Sequence, residues 1–258
     1  MLFYNRSKNR ATRRFHLKKK LSAAIALALI ACLLIVILMF EGVIRPNPSH
    51  TRYPVRGVDV SSYQGDIDWH MLEAQGISFA FIKATEGSGM IDPCFQQNFY
   101  RAGETSIRIG AYHFLSYDSP GSTQAENFIA AVPKTPGMLP PVIDVEFYGE
   151  YISNHPDKDH VSEILDDILF LLTKHYGLKP IIYVTRTSYS LYIKDTFDDY
   201  DLWIRDVYLH PFTVSGTNWT FWQYSDQGRL EGYEGVEAYI DLNVFNGTLE
   251  DFNNYAQI

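Results

Sequence analysis

Two acidic residues stand two positions apart in an apolar segment, and they are the strongest chemical signal in the sequence. The segment reads PPVIDVEFY from Pro140 to Tyr148, with Asp144 and Glu146 in a run typical of a buried strand. Side chains alternate between the faces of a strand, so both carboxyl groups are expected on one face, about 6.5–7 Å apart. Burial and mutual repulsion oppose ionisation of both acids, and the pKa of one should rise. A protonated acid beside an ionised one is the arrangement that cleavage of a glycosidic bond needs.

The same two acids also have a structural explanation. They could face solvent at the end of a strand or pair with arginine or lysine, and an acid pair with this spacing often occurs by chance. The catalytic interpretation therefore depends on whether further chemical groups converge on the same place.

The N-terminal 40 residues differ from the rest of the chain. Residues 1–20 contain eight lysines and arginines and no acid, and residues 21–40 contain no charge. Twenty helical residues span about 30 Å, the thickness of a bilayer core. Because basic flanks stay in the cytoplasm, we expect a cytoplasmic tail (1–20), an uncleaved transmembrane signal anchor (21–40) and an extracytoplasmic C-terminal part. The predicted location is a bacterial cell membrane, crossed once.

Two alternatives to this anchor stay open. A cleaved signal peptide usually has a shorter apolar core and ends at small residues, whereas Glu41–Arg45 offers no such site. The segment Leu29–Cys32 resembles the lipobox of bacterial lipoproteins, in which the cysteine is lipidated. However, the chain continues apolar from Leu33 to Phe40, where a lipoprotein usually turns polar. Lipidation, like the anchor, would leave the protein attached to a membrane.

The rest of the chain is predicted to form a linker and one acidic domain. Residues 41–54 contain three prolines and indicate a short stiff linker, followed by a domain over 55–258. All 30 acids but only 14 of the 22 lysines and arginines lie at or beyond Glu41, so this part carries a net charge of −16. That charge argues against nucleic-acid binding. Cys94 is the domain's single cysteine, so an internal disulfide is excluded.

Apolar strands alternate with helical segments along the domain. The predicted strands are Val55–Val60, Ile77–Lys83, Arg108–Leu115, Val142–Glu146, Lys179–Val184, Asp201–Arg205, Thr220–Tyr224 and Tyr239–Val244. The predicted helices are Asp68–Ala74, Pro93–Ala102, Thr123–Ala131 and Asp157–Tyr176. Alternating units of this kind indicate a parallel α/β sheet, and the sparse late helices favour an irregular TIM-like barrel. An open doubly wound sheet is the rival, but no glycine-rich phosphate loop follows the first strand.

Chemically active residues gather where the barrel strands are predicted to end. Strands one, four and eight bring Asp59, Asp144 with Glu146, and Asp241. Function in such barrels lies at the C-terminal ends of the strands, so these acids should converge on one pocket. Other residues there have ordinary explanations: Lys83 with Glu86 as an ion pair, and His113 as a hydrogen-bonded core residue.

Six motifs together resemble one enzyme family. They are GVDVSSYQG (57–65), KATEG (83–87), GAYHF (110–114), VIDVE (142–146), WQYS (222–225) and IDLNVF (240–245). In this order they are similar to the glycoside hydrolase family 25 lysozymes, the Chalaropsis-type N-acetylmuramidases. The resemblance covers essentially the whole domain.

The resemblance implies a fold, a reaction and a site. The fold is a (βα)5β3 barrel, and the reaction is cleavage of the β-1,4 bond from N-acetylmuramic acid to N-acetylglucosamine in peptidoglycan. Glu146 corresponds to the general acid, Asp144 to its partner, and Asp59 and Asp241 to two further acids of the site. The expected substrate contacts are Tyr63, Glu86, Tyr112, Tyr183, Trp222 and Gln223. Peptidoglycan strands and the cytoplasmic membrane are the expected partners, and we expect no metal or other cofactor.

The mechanism stays open at the level of sequence. A retaining enzyme places its two carboxyl groups about 5–5.5 Å apart and an inverting one about 6.5–9.5 Å. A third route uses the 2-acetamido group of the substrate as the nucleophile, with Asp144 orienting it, and we rank this first. A catalytically silent, peptidoglycan-binding barrel and a chitinase are the competing functions. The chain also departs from the common family pattern in two places, at Thr185-Arg186 and at Arg205-Asp206.

Overall fold

The protein consists of two compact units, residues 1–45 and 46–258. The computed structural model describes the backbone of residues 2–40 and 46–258, and the side chains of 18–39 and 46–258. The first five residues of the predicted linker, 41–45, lie outside the described residues.

The N-terminal unit is one continuous helix, α1 (Leu2–Phe40). Within it, Lys18–Met39 has a mean hydropathy of 3.1 and is long and apolar enough to cross a membrane, by length and composition alone. A signal sequence has the same properties, so the anchor, its orientation and its retention stay predictions.

The second unit contains eleven strands and seven helices among the described residues. The strands are β1 (Arg56–Val60), β2 (Asp66–Ile67), β3 (Ile77–Glu86), β4 (Met90–Ile91), β5 (Arg108–Phe114), β6 (Val142–Val145), β7 (Ile181–Thr185), β8 (Leu202–Arg205), β9 (Phe221–Gly228), β10 (Tyr233–Glu234) and β11 (Ile240–Phe245). The helices are α2 (Trp69–Ala74), α3 (Phe95–Ala102), α4 (Gly121–Ala131), α5 (Lys158–Tyr176), α6 (Arg186–Ser188), α7 (Phe212–Ser215) and α8 (Leu249–Asn253). A π-helical segment, Tyr189–Ile193, follows α6, and Ser62–Gln64 and Gly149–Ile152 are 3₁₀ turns.

Eight of the strands close into a barrel in the order β1, β3, β5, β6, β7, β8, β9, β11, with β11 returning to β1. The pairings from β1 through β9 are parallel, whereas β11 runs antiparallel to both β9 and β1. The predicted irregular (βα)5β3 barrel is therefore confirmed, and the open doubly wound sheet is wrong. The antiparallel direction of β11 is a feature that strand periodicity alone did not predict.

Helix α5 shows how the outer layer follows from the sequence. Asp157 caps its first turn by accepting hydrogen bonds from two backbone N–H groups, and Gly177 ends it with a φ of 82°. Its buried stripe consists of Val161, Ile164, Leu165, Ile168, Leu169, Leu172 and Tyr176. Helix α4 packs closely on this stripe, since a Cβ at Gly121 would lie 2.1 Å from the carbonyl oxygen of Ile164.

The outer face of β9 is covered by the segment that precedes β1 and by the loop between β8 and β9, which contains the short helix α7. Tyr53 packs edge-on against Trp222, with ring centroids 6.3 Å apart, and its hydroxyl lies 2.9 Å from Nε2 of His210. Trp219 completes this cluster, 5.9 Å from Tyr53. Trp222 on this outer face is thereby buried.

The interior of the barrel is filled by aromatic rings, which form a solid floor below the C-terminal end. Phe81 stacks on Trp203 at 4.6 Å and meets Phe79 edge-on at 5.7 Å. Glycines on neighbouring strands leave room for these rings: a Cβ at Gly57 would lie 2.4 Å from the Phe79 ring, and one at Gly110 would lie 2.6 Å from Phe81. The packing of these aromatic rings therefore depends on glycines in the neighbouring strands.

Replacing Gly57 with alanine is expected to destabilise the domain by about 1–3 kcal/mol, because the added methyl group overpacks the Phe79 ring. Urea unfolding followed by tryptophan fluorescence measures this change. Gly89→Ala is the matched control, since nothing lies within 4 Å of the added methyl group. Equal stability of the two variants would contradict the proposed close packing.

Candidate active site

A cavity of about 310 Å³ lies at the C-terminal end of the barrel strands. Six residues named from the sequence line it: Asp59, Tyr63, Tyr112, Asp144, Glu146 and Asp241. The other lining residues were not predicted as site residues; they include Gln64, Asp226, Glu237 and Tyr239. Asp241 lies near the start of its strand and reaches this end because β11 runs antiparallel, which pairs it directly with Asp59.

Glu146 is the first residue after β6 and is held from behind by aromatic residues. Its carbonyl oxygen accepts a hydrogen bond of 3.1 Å from the hydroxyl of Tyr117. Tyr117 stacks on Tyr148 at 5.7 Å with an interplanar angle of 9°, and its backbone N–H donates to the Tyr148 hydroxyl. Phe147 in turn stacks on His155 at 4.1 Å. The backbone that carries Glu146 is therefore fixed although it lies outside the sheet.

Asp144 and Glu146 form the central pair of acids, and burial raises the pKa of both. It raises the pKa of Asp144 well above its ordinary value, and the charge of Glu146 adds to this. Burial also raises the pKa of Glu146, while the positive charge of Arg205 opposes the rise. Oδ1 of Asp144 is buried and has no hydrogen-bond partner among the described residues. The pair therefore retains a proton more readily than free acids do.

Asp59 and Asp241 form a second, directly hydrogen-bonded pair. Nε2 of Gln223 lies 2.8 Å from both carboxyl oxygens of Asp59, and Nδ2 of Asn243 lies 2.7 Å from Oδ1. Burial raises the pKa of Asp59, and these amide donors lower it. Burial and the charge of Asp59 raise the pKa of Asp241 to about 10. Because the donors favour the ionised form of Asp59, the proton that the pair shares resides on Asp241.

Two further hydrogen bonds orient the side-chain amides of Gln223 and Asn243. The hydroxyl of Tyr183 donates to Oε1 of Gln223 at 3.0 Å, and the indole N–H of Trp203 donates to Oδ1 of Asn243 at 2.8 Å. Each amide is thereby turned so that its NH₂ group faces Asp59. Asn243 was not predicted from the sequence as a site residue, although alternation along β11 places it on the same face as Asp241.

Two basic side chains flank the four acids. Lys83 lines the cavity, pairs with Glu86 at 2.8 Å and lies 4.8 Å above the Phe114 ring. On the opposite side, Arg205 at the end of β8 pairs with Asp226 at 2.9 Å. The ion pair of Lys83 with Glu86 agrees with the structural explanation considered for these two residues.

The residues expected to contact substrate fall into two groups. Tyr63 is 59% exposed at the rim of the cavity, and Tyr112 lies among the four acids, where burial and their charges raise its pKa. Four others do not line the cavity: Glu86, Tyr183, Trp222 and Gln223. Tyr183 and Gln223 act behind Asp59, as described above. Trp222 is on the outer face of β9, where its indole N–H donates to the carbonyl of Asp206 at 2.9 Å.

His113 is a buried structural residue. The hydroxyl of Thr85 is 2.8 Å from Nδ1, and Oε1 of Gln124 is 2.9 Å from Nε2. Burial lowers the pKa of His113 to about 4, so the ring is neutral at pH 7. It joins β3, β5 and α4 instead of serving the cavity.

Comparisons with known proteins agree with this geometry. The structure of a family 25 glycosyl hydrolase from Bacillus anthracis superimposes with a TM-score of 0.76 at 52% identity, covering 81% of this chain and 99% of that chain. A lysozyme from Streptomyces coelicolor gives 0.69 at 30% identity, covering 78% and 98%. Lysozyme M1 of Streptomyces globisporus is 32% identical over 214 residues, which are 75% of this chain and 68% of that protein.

The sequence profile of the family described as glycosyl hydrolases family 25 matches residues 58–233, more than half of the chain. With the closed barrel and the cluster of acids at its C-terminal end, this match makes the protein a glycoside hydrolase that belongs to family 25.

Proposed function

We propose that this protein is a peptidoglycan hydrolase that cleaves the β-1,4 bond from N-acetylmuramic acid to N-acetylglucosamine. The observation that carries the proposal is the cavity lined by Asp59, Asp144, Glu146 and Asp241. Both similar Streptomyces proteins are named lysozymes, which supports peptidoglycan as the substrate.

In the first step, Glu146 donates its proton to the glycosidic oxygen as the bond from that oxygen to the anomeric carbon breaks. The carbonyl oxygen of the 2-acetamido group bonds to the anomeric carbon and forms a positively charged oxazolinium ring. Asp144 accepts a hydrogen bond from the acetamido N–H and stabilises this charge. Its raised pKa is compatible with the role: protonation of Glu146 removes the repelling charge, and the N–H donor favours the carboxylate.

In the second step, the Glu146 carboxylate takes a proton from water as the water oxygen attacks the anomeric carbon. The bond to the acetamido oxygen breaks, and the acetamido group is restored. Two displacements at one carbon retain the β configuration. Glu146 thus acts first as acid and then as base, which a pKa raised by burial permits near neutral pH.

Asp59 and Asp241 are proposed to hold the sugar and shape the field of the cavity. Asp59 is the anionic member, supported by the amides of Gln223 and Asn243. A fixed negative charge there stabilises the positive charge that develops on the sugar ring.

We further propose that α1 anchors the enzyme in the cytoplasmic membrane. Lys18–Met39 has the length and hydropathy of a span, and the eight basic residues within 1–20 favour a cytoplasmic N-terminus. The hydrolase domain would then lie outside the cell, where peptidoglycan is found.

Glu146→Gln is expected to lower the rate of peptidoglycan cleavage at least about a hundredfold, because glutamine cannot donate the proton. The full-length chain in detergent is incubated with purified peptidoglycan, and released fragments are reduced and identified by mass spectrometry. The wild type should generate new reducing-end muramic acid.

Glu126→Gln, an exposed change on α4, is the matched control and should keep full activity. New reducing-end glucosamine would overturn the bond assignment. Binding of wild-type protein to peptidoglycan without any release would instead indicate a silent binding barrel.

The acetamido route makes a separate prediction about the substrate. Glycan in which muramic acid carries a free 2-amino group should be cleaved at least about a hundredfold more slowly, because the internal nucleophile is lost. Chain cleavage is compared on the same glycan before and after re-acetylation. Undiminished cleavage, with a glycosyl–enzyme adduct detected by mass spectrometry, would make a protein carboxylate the nucleophile.

Asp241→Asn should stabilise the folded domain at neutral pH. At pH 7 Asp241 is protonated in the folded state and ionised in the unfolded chain, so folding takes up a proton. The free energy of unfolding should therefore fall as pH rises from about 4 towards 10. Asparagine removes this dependence and should raise stability at pH 7 by on the order of 1 kcal/mol.

Thermal unfolding between pH 4 and pH 9 measures this change. Asp166→Asn, an exposed change on α5, should leave the pH slope of the wild type unaltered. An unchanged slope in Asp241→Asn would mean that the raised pKa has been assigned to the wrong group.

A further inference from the structure

Arg205 occupies a fixed place beside the cavity. It ends β8, where it pairs in register with Thr185 of β7 and Gln223 of β9. Strand alternation puts its side chain on the inner face with Trp203, and only 33% of that side chain is exposed. Nη2 lies 2.9 Å from Oδ2 of Asp226, which itself lines the cavity. A guanidinium held by a carboxylate in this way has a defined position.

The charges around Glu146 come from every side of the barrel. The acids are Asp59 on β1, Asp144 on β6, Asp226 on β9, Asp241 on β11 and Glu237 in the loop before β11. The phenols are Tyr112 on β5, Tyr117 after β5, Tyr183 on β7 and Tyr239 before β11. Among the described residues, the bases that act on this group are Lys83 and Arg205.

The two bases are not equivalent. Lys83 is paired with Glu86, which does not line the cavity, and it lies over the Phe114 ring. The positive charge of Arg205 lowers the pKa of all four acids, and for Glu146 no other charge lowers the pKa as much. Burial lowers the pKa of Arg205, but Tyr183, Asp226 and Glu146 raise it. The net effect is a raised pKa, so the guanidinium keeps its charge.

We propose that Arg205, held by Asp226, is a positioning residue of the reaction: its charge sets the pH range in which Glu146 and the neighbouring acids carry the protons that hydrolysis needs. This inference rests on the proposed function. It adds a residue that does not line the cavity and acts through the carboxyl groups that do.

The test is the pH profile of kcat/KM for peptidoglycan cleavage by the full-length chain in detergent. Arg205→Met keeps much of the side-chain length and removes the charge. Without the cation the acids hold their protons to higher pH, so both limbs of the profile should move up by about one pH unit. Arg205→Lys, which keeps the charge, should restore the limbs to within a few tenths of a unit of their wild-type positions.

Asp226→Asn removes the negative charge of the same ion pair, whereas Arg205→Met removes the positive one. Asparagine can still accept the hydrogen bond from Arg205, but it no longer neutralises the guanidinium. The profile should therefore move down in pH. A shift in opposite directions by two halves of one ion pair distinguishes an electrostatic role from general damage to the fold.

Arg186→Met is the matched control. Arg186 forms a comparable pair with Asp206, at 2.8 Å, at the end of the neighbouring strand β7, and it is not among the charges that shift the four acids. Its loss should leave both limbs in place. Thermal unfolding checks that each variant is folded.

A second measurement does not require activity. ¹³C NMR of the Glu146 carboxyl carbon, assigned with Glu146→Gln, should show a titration midpoint that rises in Arg205→Met and falls in Asp226→Asn. Unshifted limbs and an unshifted midpoint in folded Arg205→Met would overturn the inference, as would an equal shift in Arg186→Met. Shifted midpoints in a protein that does not cleave peptidoglycan would support the inference while refuting the proposed function.

Discussion

The constraint on which the site depends is the burial of four carboxyl groups in one cavity. Four negative charges lining one cavity in a low dielectric would repel one another strongly, and the structure lowers that repulsion in three ways. Asp241 holds a proton, the amides of Gln223 and Asn243 donate to Asp59, and two cations flank the set. Burial and the remaining repulsion raise the pKa values of Asp144 and Glu146, which favours retention of a proton on this pair.

The closed barrel brings these groups together from distant parts of the chain. Asp59 and Asp241 are neighbours only because β11 pairs antiparallel with β1, which turns the start of β11 towards the C-terminal ends of the other strands. In an all-parallel barrel, a residue near the start of its strand would lie at the opposite end. Asp241 was predicted in the pocket because the strand ends of a barrel converge; the structure brings it there through the reversal of the last strand.

The sequence predicted local features better than orientation. Asp144 and Glu146, predicted on one face, both line the cavity although β6 ends at Val145, and the helix predicted over Asp157–Tyr176 is confirmed as α5. Trp222 was expected at the substrate, yet it lies on the outer face of β9, because its neighbour Gln223 takes the inner position. Which face of a buried strand points inward cannot be read when both faces are apolar. The pairing of Arg205 with Asp226 joins two strands through the barrel register, which residue spacing does not reveal.

Aromatic residues that do not touch the cavity hold the backbone that carries Glu146. The acid lies beyond the last residue of β6, so strand hydrogen bonds do not define its backbone. Tyr117 replaces them with one hydrogen bond to the Glu146 carbonyl and with stacking on Tyr148. In the proposed mechanism the carboxyl group of Glu146 must reach first the glycosidic oxygen and then a water molecule. A backbone held in place by these aromatic residues would keep the carboxyl group in position through both steps.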